Sequence, residues 1–128
     1  MHLPGTPIVS IVDDDASARI GTVRLVRSGG YVAQAFPSAL AFLNSQHLAE
    51  TSCLILDVQM PEMSGFQLQD ALRARGLNIP MILVTAFAED KVRAQAMDQG
   101  AICFLSKPFD CDALLGCLAT ALKGDVND

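Results

Sequence analysis

The chain has 128 residues, a formal net charge of −5 and 51% hydrophobic residues. This length fits one domain with a core of its own and is too short for two ordinary domains. The longest apolar stretch falls far short of the roughly 20 residues that cross a bilayer, and the N-terminus lacks the features of a signal peptide. These properties exclude a membrane protein, and we expect a cytoplasmic one.

Basic residues and cysteines exclude two further classes of site. The nine basic residues are spread along the chain, whereas a nucleic-acid interface concentrates them in a patch, so we expect no direct nucleic-acid contact by this segment. The cysteines lack CxxC pairs and histidine partners at metal spacing, and each lies in or beside an apolar run. We predict that all of them are reduced core residues, without zinc or disulfides. They are Cys53, Cys103, Cys111 and Cys117.

Five short stretches rich in branched or aromatic residues are predicted to be strands. In chain order they cover residues 8–12, 31–36, 53–56, 81–84 and 102–105. Helical patterns separate them. Helix starts are predicted at Ser38, Ser64 and Asp110, and helix ends at Gly29-Gly30, Gly76 and Gly100. This alternation is typical of an α/β fold with a parallel sheet covered on both faces. The second strand is the most mixed in composition, which favours an edge position.

Polar residues follow four of the five predicted strands. They are Asp13-Asp14-Asp15, Asp57, Thr85 and Ser106-Lys107. Ligands of open α/β sheets bind beyond the carboxyl ends of the strands, where these groups converge if the four strands are neighbours. Any single polar residue after a strand can be explained without a function, because the chain becomes exposed to solvent where the strand ends. Convergence of carboxylates, a hydroxyl and an ammonium favours a functional site.

The residue types in this group suit phosphoryl transfer to an aspartate. Carboxylates from two strand ends are the hard ligands that Mg²⁺ or Mn²⁺ accepts, and a cation lets Asp13, Asp14 and Asp57 stay ionised together. A carboxylate can act as the nucleophile when the charge of the transferring group is neutralised. Lys107 supplies a movable positive charge, and the Thr85 hydroxyl supplies a hydrogen-bond donor.

The acidic pair after the first strand, together with "LILDVQMPEMSG", "ILVTAF" and "FLSKPF", resembles the receiver domain of bacterial two-component response regulators. The resemblance covers residues 8 to about 122. It implies a single doubly wound (βα)5 domain of the flavodoxin-like, CheY-like class, with a parallel sheet in the order 2-1-3-4-5. Residues 1–128 would be one receiver domain, with 1–7 as a tail and 123–128 as the start of a linker. "MPEMSG" and "TAFAED" most resemble the FixJ-type subfamily, which carries a C-terminal LuxR-type helix-turn-helix output domain.

Roles at the acidic end of the sheet follow from the resemblance. Asp57 would be the phosphoacceptor. Asp14, the Asp57 carboxylate and the backbone carbonyl of Gln59 would bind Mg²⁺ directly, with Asp13 acting through a metal-bound water. Asp15 has no role in the family, and we predict that it caps the helix that follows.

Thr85 and Phe104 correspond to the switch pair of the family. The hydroxyl would move toward the phosphoryl group, and the aromatic ring would follow into the vacated space. Phe104 stands where many relatives have tyrosine, so it can report only through packing. Lys107-Pro108 resembles the family's cis peptide, which would aim the ammonium into the site.

Three further residues border the predicted site. Ala86 has two interpretations, ordinary packing or a small side chain that leaves a path for the phosphodonor. Phe87 and Gln59 correspond to positions that border the route of the water that hydrolyses the acyl phosphate in receivers. We hypothesise that Phe87 slows dephosphorylation.

The sequence thus predicts a signalling switch and not a turnover enzyme. A sensor histidine kinase would supply the phosphoryl group, and a face formed by the fourth helix, fifth strand and fifth helix would respond. That face would self-associate, giving a phosphorylation-dependent homodimer, or would release an output domain that controls transcription.

Two alternatives belong to other classes of protein. An aspartyl-phosphate hydrolase also uses a strand-end aspartate and Mg²⁺, but Gln59 leaves no second acid two residues past Asp57, and the chain has no room for a cap domain. A degenerate receiver would bind partners without being phosphorylated, yet here the acceptor and the acidic pair are intact.

Overall fold

Residues 6–122 are described by the computed structural model. Residues 1–5 of the predicted tail and the whole predicted linker start, 123–128, lie outside the described part. None of the helices in 6–122 is both long enough and apolar enough to cross a membrane.

Strand and helix alternate along the described chain. The strands are β1 (Ile8–Val12), β2 (Val32–Phe36), β3 (Cys53–Asp57), β4 (Met81–Thr85) and β5 (Cys103–Ser106). The helices are α1 (Ala16–Ser28), α2 (Ala39–Leu43), α3 (Gly65–Ala74), α4 (Asp90–Asp98) and α5 (Cys111–Leu122). Each predicted strand is confirmed to within one residue at either end. A 3₁₀ helix at Leu48–Glu50, which the sequence did not predict, follows α2.

The strands form one parallel sheet in the order β2-β1-β3-β4-β5. This confirms the predicted topology and the edge position of β2. The register pairs Asp57 with Val84 and Thr85 with Ser106. Because parallel strands end on the same side, the polar residues after β1, β3, β4 and β5 lie at one rim of the sheet.

Side-chain caps start three of the helices as predicted. The Asp15 carboxylate accepts hydrogen bonds from the backbone N–H groups of Ser17 and Ala18 at the start of α1. Ser38 caps α2, and Ser64 caps α3 in a reciprocal pair of bonds with a glutamine. These bonds satisfy backbone donors that a helix start leaves unpaired.

Two apolar layers cover the sheet, one on each face. One layer contains Phe42 of α2, Leu68 of α3 and Phe104 of β5. The other contains Val26 of α1 and Leu118 of α5. The helices contribute unequally: within its range, α4 buries Ala96 alone. The buried residues of α5 are Leu114, Cys117, Leu118 and Leu122.

The structure corrects the prediction for the cysteines. Cys103 of β5 and Cys117 of α5 form a disulfide, with Cα atoms 6.1 Å apart. They stand 14 residues apart in the chain, and only the packing of α5 beside β5 brings them together, so spacing could not reveal the pair. Cys53 is buried as predicted, whereas Cys111 is exposed and not a core residue.

Candidate functional site

Three carboxylates meet at the carboxyl end of β1 and β3. Asp13 and Asp57 are buried, at 3% and 7% exposure, while Asp14 is exposed. One carboxylate oxygen from each lies within 4.8 Å of the others, a spacing that could hold a metal ion. These hard oxygen donors suit Mg²⁺, and the exposure of Asp14 leaves one side open to the water ligands that Mg²⁺ retains. The predicted acidic group is therefore assembled.

Lys107 joins two of these carboxylates. It follows β5, and its Nζ donates to Asp13 Oδ2 at 2.7 Å and to Asp57 Oδ2 at 2.9 Å. The peptide bond between Lys107 and Pro108 is cis, as the sequence resemblance implied. The ammonium therefore balances part of the negative charge of the buried pair.

Burial and ion pairing act in opposite directions on the ionisable groups. Burial raises the pKa of Asp57 above its ordinary value of 3.8, although hydrogen bonds from Lys107 and from the backbone N–H of Gln59 act to lower it. Burial lowers the pKa of Lys107, but its bonds to Asp13 and Asp57 outweigh this, and the net pKa lies above 10.5. At neutral pH Lys107 is therefore a cation held against carboxylates.

Thr85 ends β4 beside this group and is completely buried. Its Oγ1 accepts a hydrogen bond from the backbone N–H of Phe87 at 3.0 Å. Ala86 is exposed and, with Lys107 and Pro108, lines a groove of about 490 Å³ between α1 and the start of α5. The Phe87 side chain is 60% exposed. The hydroxyl is thus held inside the sheet end while the next two side chains face outward.

Phe104 of β5 is buried on the α4 side of the sheet. The guanidinium carbon of Arg93 on α4 lies 4.9 Å from the centre of its ring, a cation–π distance. Sequence reasoning missed Arg93, because one basic residue on an exposed helix carries no signal of the ring beneath it. This contact links α4 to β5.

Gly65, at the start of α3, is a second residue that the sequence analysis missed. A Cβ atom there would lie 2.7 Å from the backbone oxygen of Asp57 and 2.9 Å from Cα of Val58. Its own N–H donates to the backbone oxygen of Val58 at 2.9 Å. The glycine in "MPEMSG" was the available signal: α3 can approach the Asp57 backbone this closely only without a side chain.

The comparisons with known proteins agree with this geometry. The family model for the response regulator receiver domain matches residues 9–119. The response regulator protein TmoT of Ectopseudomonas mendocina is 43% identical over 116 residues, which are 91% of this chain and 53% of that protein. The transcriptional regulatory protein FixJ of Azorhizobium caulinodans is 33% identical over 120 residues, 94% of this chain and 57% of FixJ.

A solved structure, described as a low-resolution structure of the response regulator StyR, superimposes with a TM-score of 0.84 at 40% identity. The match covers 94% of this chain and 61% of the StyR chain. The chain spans about half the length of the curated relatives given above.

Proposed function

Because the chain belongs to the response regulator receiver domain family, we propose that Asp57 accepts a phosphoryl group from the phosphohistidine of a sensor histidine kinase. The observation that carries the proposal is the Lys107 ammonium bound to both Asp13 and Asp57, with the Asp14 carboxylate alongside. The protein is then a switch whose chemistry is limited to its own phosphorylation and dephosphorylation. We further propose that it works in the cytoplasm.

Mg²⁺ or Mn²⁺ is the cofactor that fits this donor set. Asp14, the Asp57 carboxylate and the backbone carbonyl of Gln59 would bind it directly, and Asp13 would act through a water. When bound, the cation supplies charge neutralisation for the incoming phosphoryl oxygens. The carboxylates of Asp13, Asp14 and Asp57 support this role because they already lie within reach of a common point.

In the transfer step, a carboxylate oxygen of Asp57 attacks the phosphorus of the phosphohistidine. A P–O bond forms, the P–N bond breaks, and the imidazole nitrogen of the kinase keeps the electron pair. Lys107 exchanges its bond to Asp57 for one to a phosphoryl oxygen and so keeps a charge-assisted contact throughout. The groove beside Ala86 favours the interpretation of Ala86 as part of the donor's path.

The response of the protein would begin at Thr85. Its hydroxyl, now bonded to the Phe87 N–H, would donate to a phosphoryl oxygen, and Phe104 would move toward the space that opens. Because Arg93 lies over the Phe104 ring, a shift of the ring changes the contact between β5 and α4. Phosphorylation would thereby shift an existing equilibrium between two states.

The face formed by α4, β5 and α5 would carry the output. Phosphorylation would lead either to a homodimer through this face or to release of an output domain. Relatives named as transcriptional regulators, such as FixJ, are longer than this chain, which supports control of transcription through a domain outside residues 1–128. Within those residues we propose a receiver core of about 8–122, followed by the start of a linker.

Phe87 and Gln59 would tune the lifetime of the phosphoryl group. The exposed Phe87 ring lies two residues from Thr85, and Gln59 contacts Asp57 through its backbone N–H. A bulky apolar ring this close in the chain to Thr85 would hinder the approach of hydrolytic water. Phe87→Ala should therefore shorten the phosphoryl half-life, measured by the decay of the phosphorylated mass, and an unchanged half-life would contradict this role.

The test of the proposed function is intact-mass spectrometry after incubation with Mg²⁺ and acetyl phosphate. The wild type should gain one phosphoryl group that is lost on base treatment, whereas Asp57→Asn should gain none. Asp98→Asn, which changes an exposed aspartate on α4, is the matched control and should behave as the wild type.

The other outcomes identify the alternatives. Absence of an adduct, with beryllofluoride and Mg²⁺ also failing to bind, would indicate a degenerate receiver. Rapid release of phosphate without a lasting adduct would indicate a hydrolase.

A further inference from the structure

The disulfide between Cys103 and Cys117 joins β5 to α5, and the phosphoryl-transfer chemistry makes no use of it. We propose that this pair is a reversible redox-modification site, oxidised by a hydroperoxide and reduced by a dithiol. The site is separate from the acidic group, because Cys103 begins β5 while Lys107 follows the other end of that strand.

The backbone of the folded domain already holds the two cysteines at bonding distance. Their Cα atoms are 6.1 Å apart, inside the range of about 4.4–6.8 Å that a disulfide requires without backbone movement. Each cysteine is fixed by regular structure, Cys103 in a strand and Cys117 in the middle of a helix. The thiols of the reduced protein would therefore remain close, and the bond can form and break in the native fold.

Accessibility differs between the two sulfurs. Cys103 lies on the edge strand β5 and is partly exposed, whereas Cys117 is 8% exposed. A small oxidant or a reducing thiol therefore reaches Cys103 first, and Cys117 is placed to resolve the product.

The proposed cytoplasmic location argues for reversibility. Cytosolic glutathione and thioredoxin systems keep thiols reduced, and disulfides found there are usually transient, catalytic or redox-sensing. This argument rests on the proposed function, whereas the geometry of the pair does not.

Oxidation by hydrogen peroxide proceeds in two balanced steps. The Cys103 thiolate attacks one peroxide oxygen, the O–O bond breaks, and Cys103 sulfenic acid and water form. The Cys117 thiolate then attacks the Cys103 sulfur, the S–O bond breaks, and a second water leaves. Both thiol protons end in water, the two sulfurs give up two electrons, and the peroxide accepts them.

The bridge restrains the proposed output face. Cys103 and Cys117 pack in the layer under α1 and α5, while the neighbouring Phe104 packs in the opposite layer. A covalent tie at Cys103 therefore fixes the backbone position next to the Phe104 ring relative to α5. The oxidised protein should respond less at this face when it is activated.

The first experiment measures the bond without any phosphodonor. The chain has four cysteines, of which the bridge removes two from alkylation. The native protein is treated with hydrogen peroxide, then unfolded and alkylated with iodoacetamide, and it should carry two fewer alkyl groups than a sample reduced with dithiothreitol before the same step. A non-reducing peptide map should show the 103–117 cross-link, and dithiothreitol should remove it while the far-UV circular dichroism stays unchanged.

Matched variants identify the pair. Cys111→Ser removes the exposed thiol and should leave the cross-link intact, whereas Cys117→Ser and, independently, Cys103→Ser should abolish it. A cross-link through another cysteine, full alkylation after peroxide, or a bond that dithiothreitol breaks only after unfolding would each overturn the proposal. Asp57→Asn should form the bridge as the wild type does, so a failed phosphorylation test leaves this result intact.

The second experiment measures how far the bridge between Cys103 and Cys117 restrains the response of the face formed by α4, β5 and α5. Beryllofluoride and Mg²⁺ are titrated into the oxidised and the reduced protein, and amide chemical shifts of α4, β5 and α5 are followed. We expect smaller shift changes in α5 for the oxidised form, and equal changes would overturn the restraint. Failure of both forms to bind beryllofluoride would instead count against the proposed function.

Discussion

The two ends of the sheet differ in whether their buried polar side chains have hydrogen-bond partners. At the carboxyl end, the buried carboxylates of Asp13 and Asp57 both accept hydrogen bonds from Lys107. At the amino end, the side-chain oxygens of Gln69 and Gln99 are buried, and within residues 6–122 they have no hydrogen-bond partner. They line a cavity of about 250 Å³. Charges are tolerated in the interior only with a partner, whereas a neutral amide oxygen can remain unpaired at a smaller loss of stability.

The largest expected effect comes from removing the shared cation. Lys107→Met leaves two buried carboxylates with backbone N–H donors but without their shared cation, and it should lower the free energy of unfolding by about 3 kcal/mol. Denaturant unfolding in metal-free buffer measures the loss, and Mg²⁺ should restore part of it by replacing the ammonium. Lys91→Met, at an exposed position of α4, is the control. Similar losses for the two variants would show that the carboxyl end does not depend on this charge.

A smaller loss is expected when α3 is forced away from the Asp57 backbone. Gly65→Ala places a Cβ atom 2.7 Å from the Asp57 oxygen, and the resulting backbone shift should destabilise the protein by about 2 kcal/mol. Mg²⁺ affinity should fall as well, because Asp57 moves with its backbone.

Gly21→Ala gives the matched comparison for that substitution. Within residues 6–122, a Cβ at this α1 position would meet no atom within 4 Å beyond its chain neighbours and the backbone of its own helix, so alanine should stabilise the helix by about 0.5–1 kcal/mol. Thermal unfolding of the two variants compares them directly. Equal shifts of Tm would contradict the close approach at Gly65.

Alkaline pH tests the same ion pair without a substitution at the carboxylates. The folded pKa of Lys107 lies above its ordinary value of 10.5, so the unfolded chain releases this proton first as the pH rises. Its stabilisation is complete below 10.5 and is lost at about 1.4 kcal/mol per pH unit from there up to the folded pKa. The stability difference between wild type and Lys107→Met should therefore be constant from neutral pH to 10 and shrink above 10.5. A difference that stays constant at higher pH would contradict the raised pKa.

The smallest effect is expected at the amino end. Gln69→Leu loses the hydrogen bond from Nε2 to the Gln99 backbone oxygen at 3.1 Å but also removes a buried oxygen that has no partner in the described part of the chain. These changes oppose each other, so the free energy of unfolding should change by less than about 1 kcal/mol. Gln95→Leu on the exposed side of α4 is the control. A loss of more than about 2 kcal/mol would show that the Gln69 oxygen is paired in solution.

Local rules predicted much of the fold because they act within short stretches of chain. Strand bounds follow from runs of branched residues, and the caps at Asp15, Ser38 and Ser64 follow from a polar residue just before a helical pattern. Sheet order came from the family resemblance. Exposure was less predictable: the apolar side chains of Ile20 in α1 and Met97 in α4 are 51% and 47% exposed.

At the site, sequence reasoning predicted which residue types meet but not how they are paired. The convergence of Asp13, Asp57 and Lys107 follows from the parallel sheet. The bonding of one ammonium to both carboxylates, the ring contact of Arg93 and the disulfide depend on side-chain packing between distant segments. No periodicity or spacing encodes contacts of that kind.

Because α4 buries so little of its surface, its backbone amides should exchange their hydrogens more readily than those of the other helices. The helix buries Ala96 alone within its range, and Glu89 provides no side-chain hydrogen bond at its start. Its amides should therefore exchange through local opening, at a free energy well below that of global unfolding. The amides of α5 should exchange only through larger openings, at a higher free energy. A partner can thus reposition α4 with a modest part of its binding energy while the sheet beneath keeps its register.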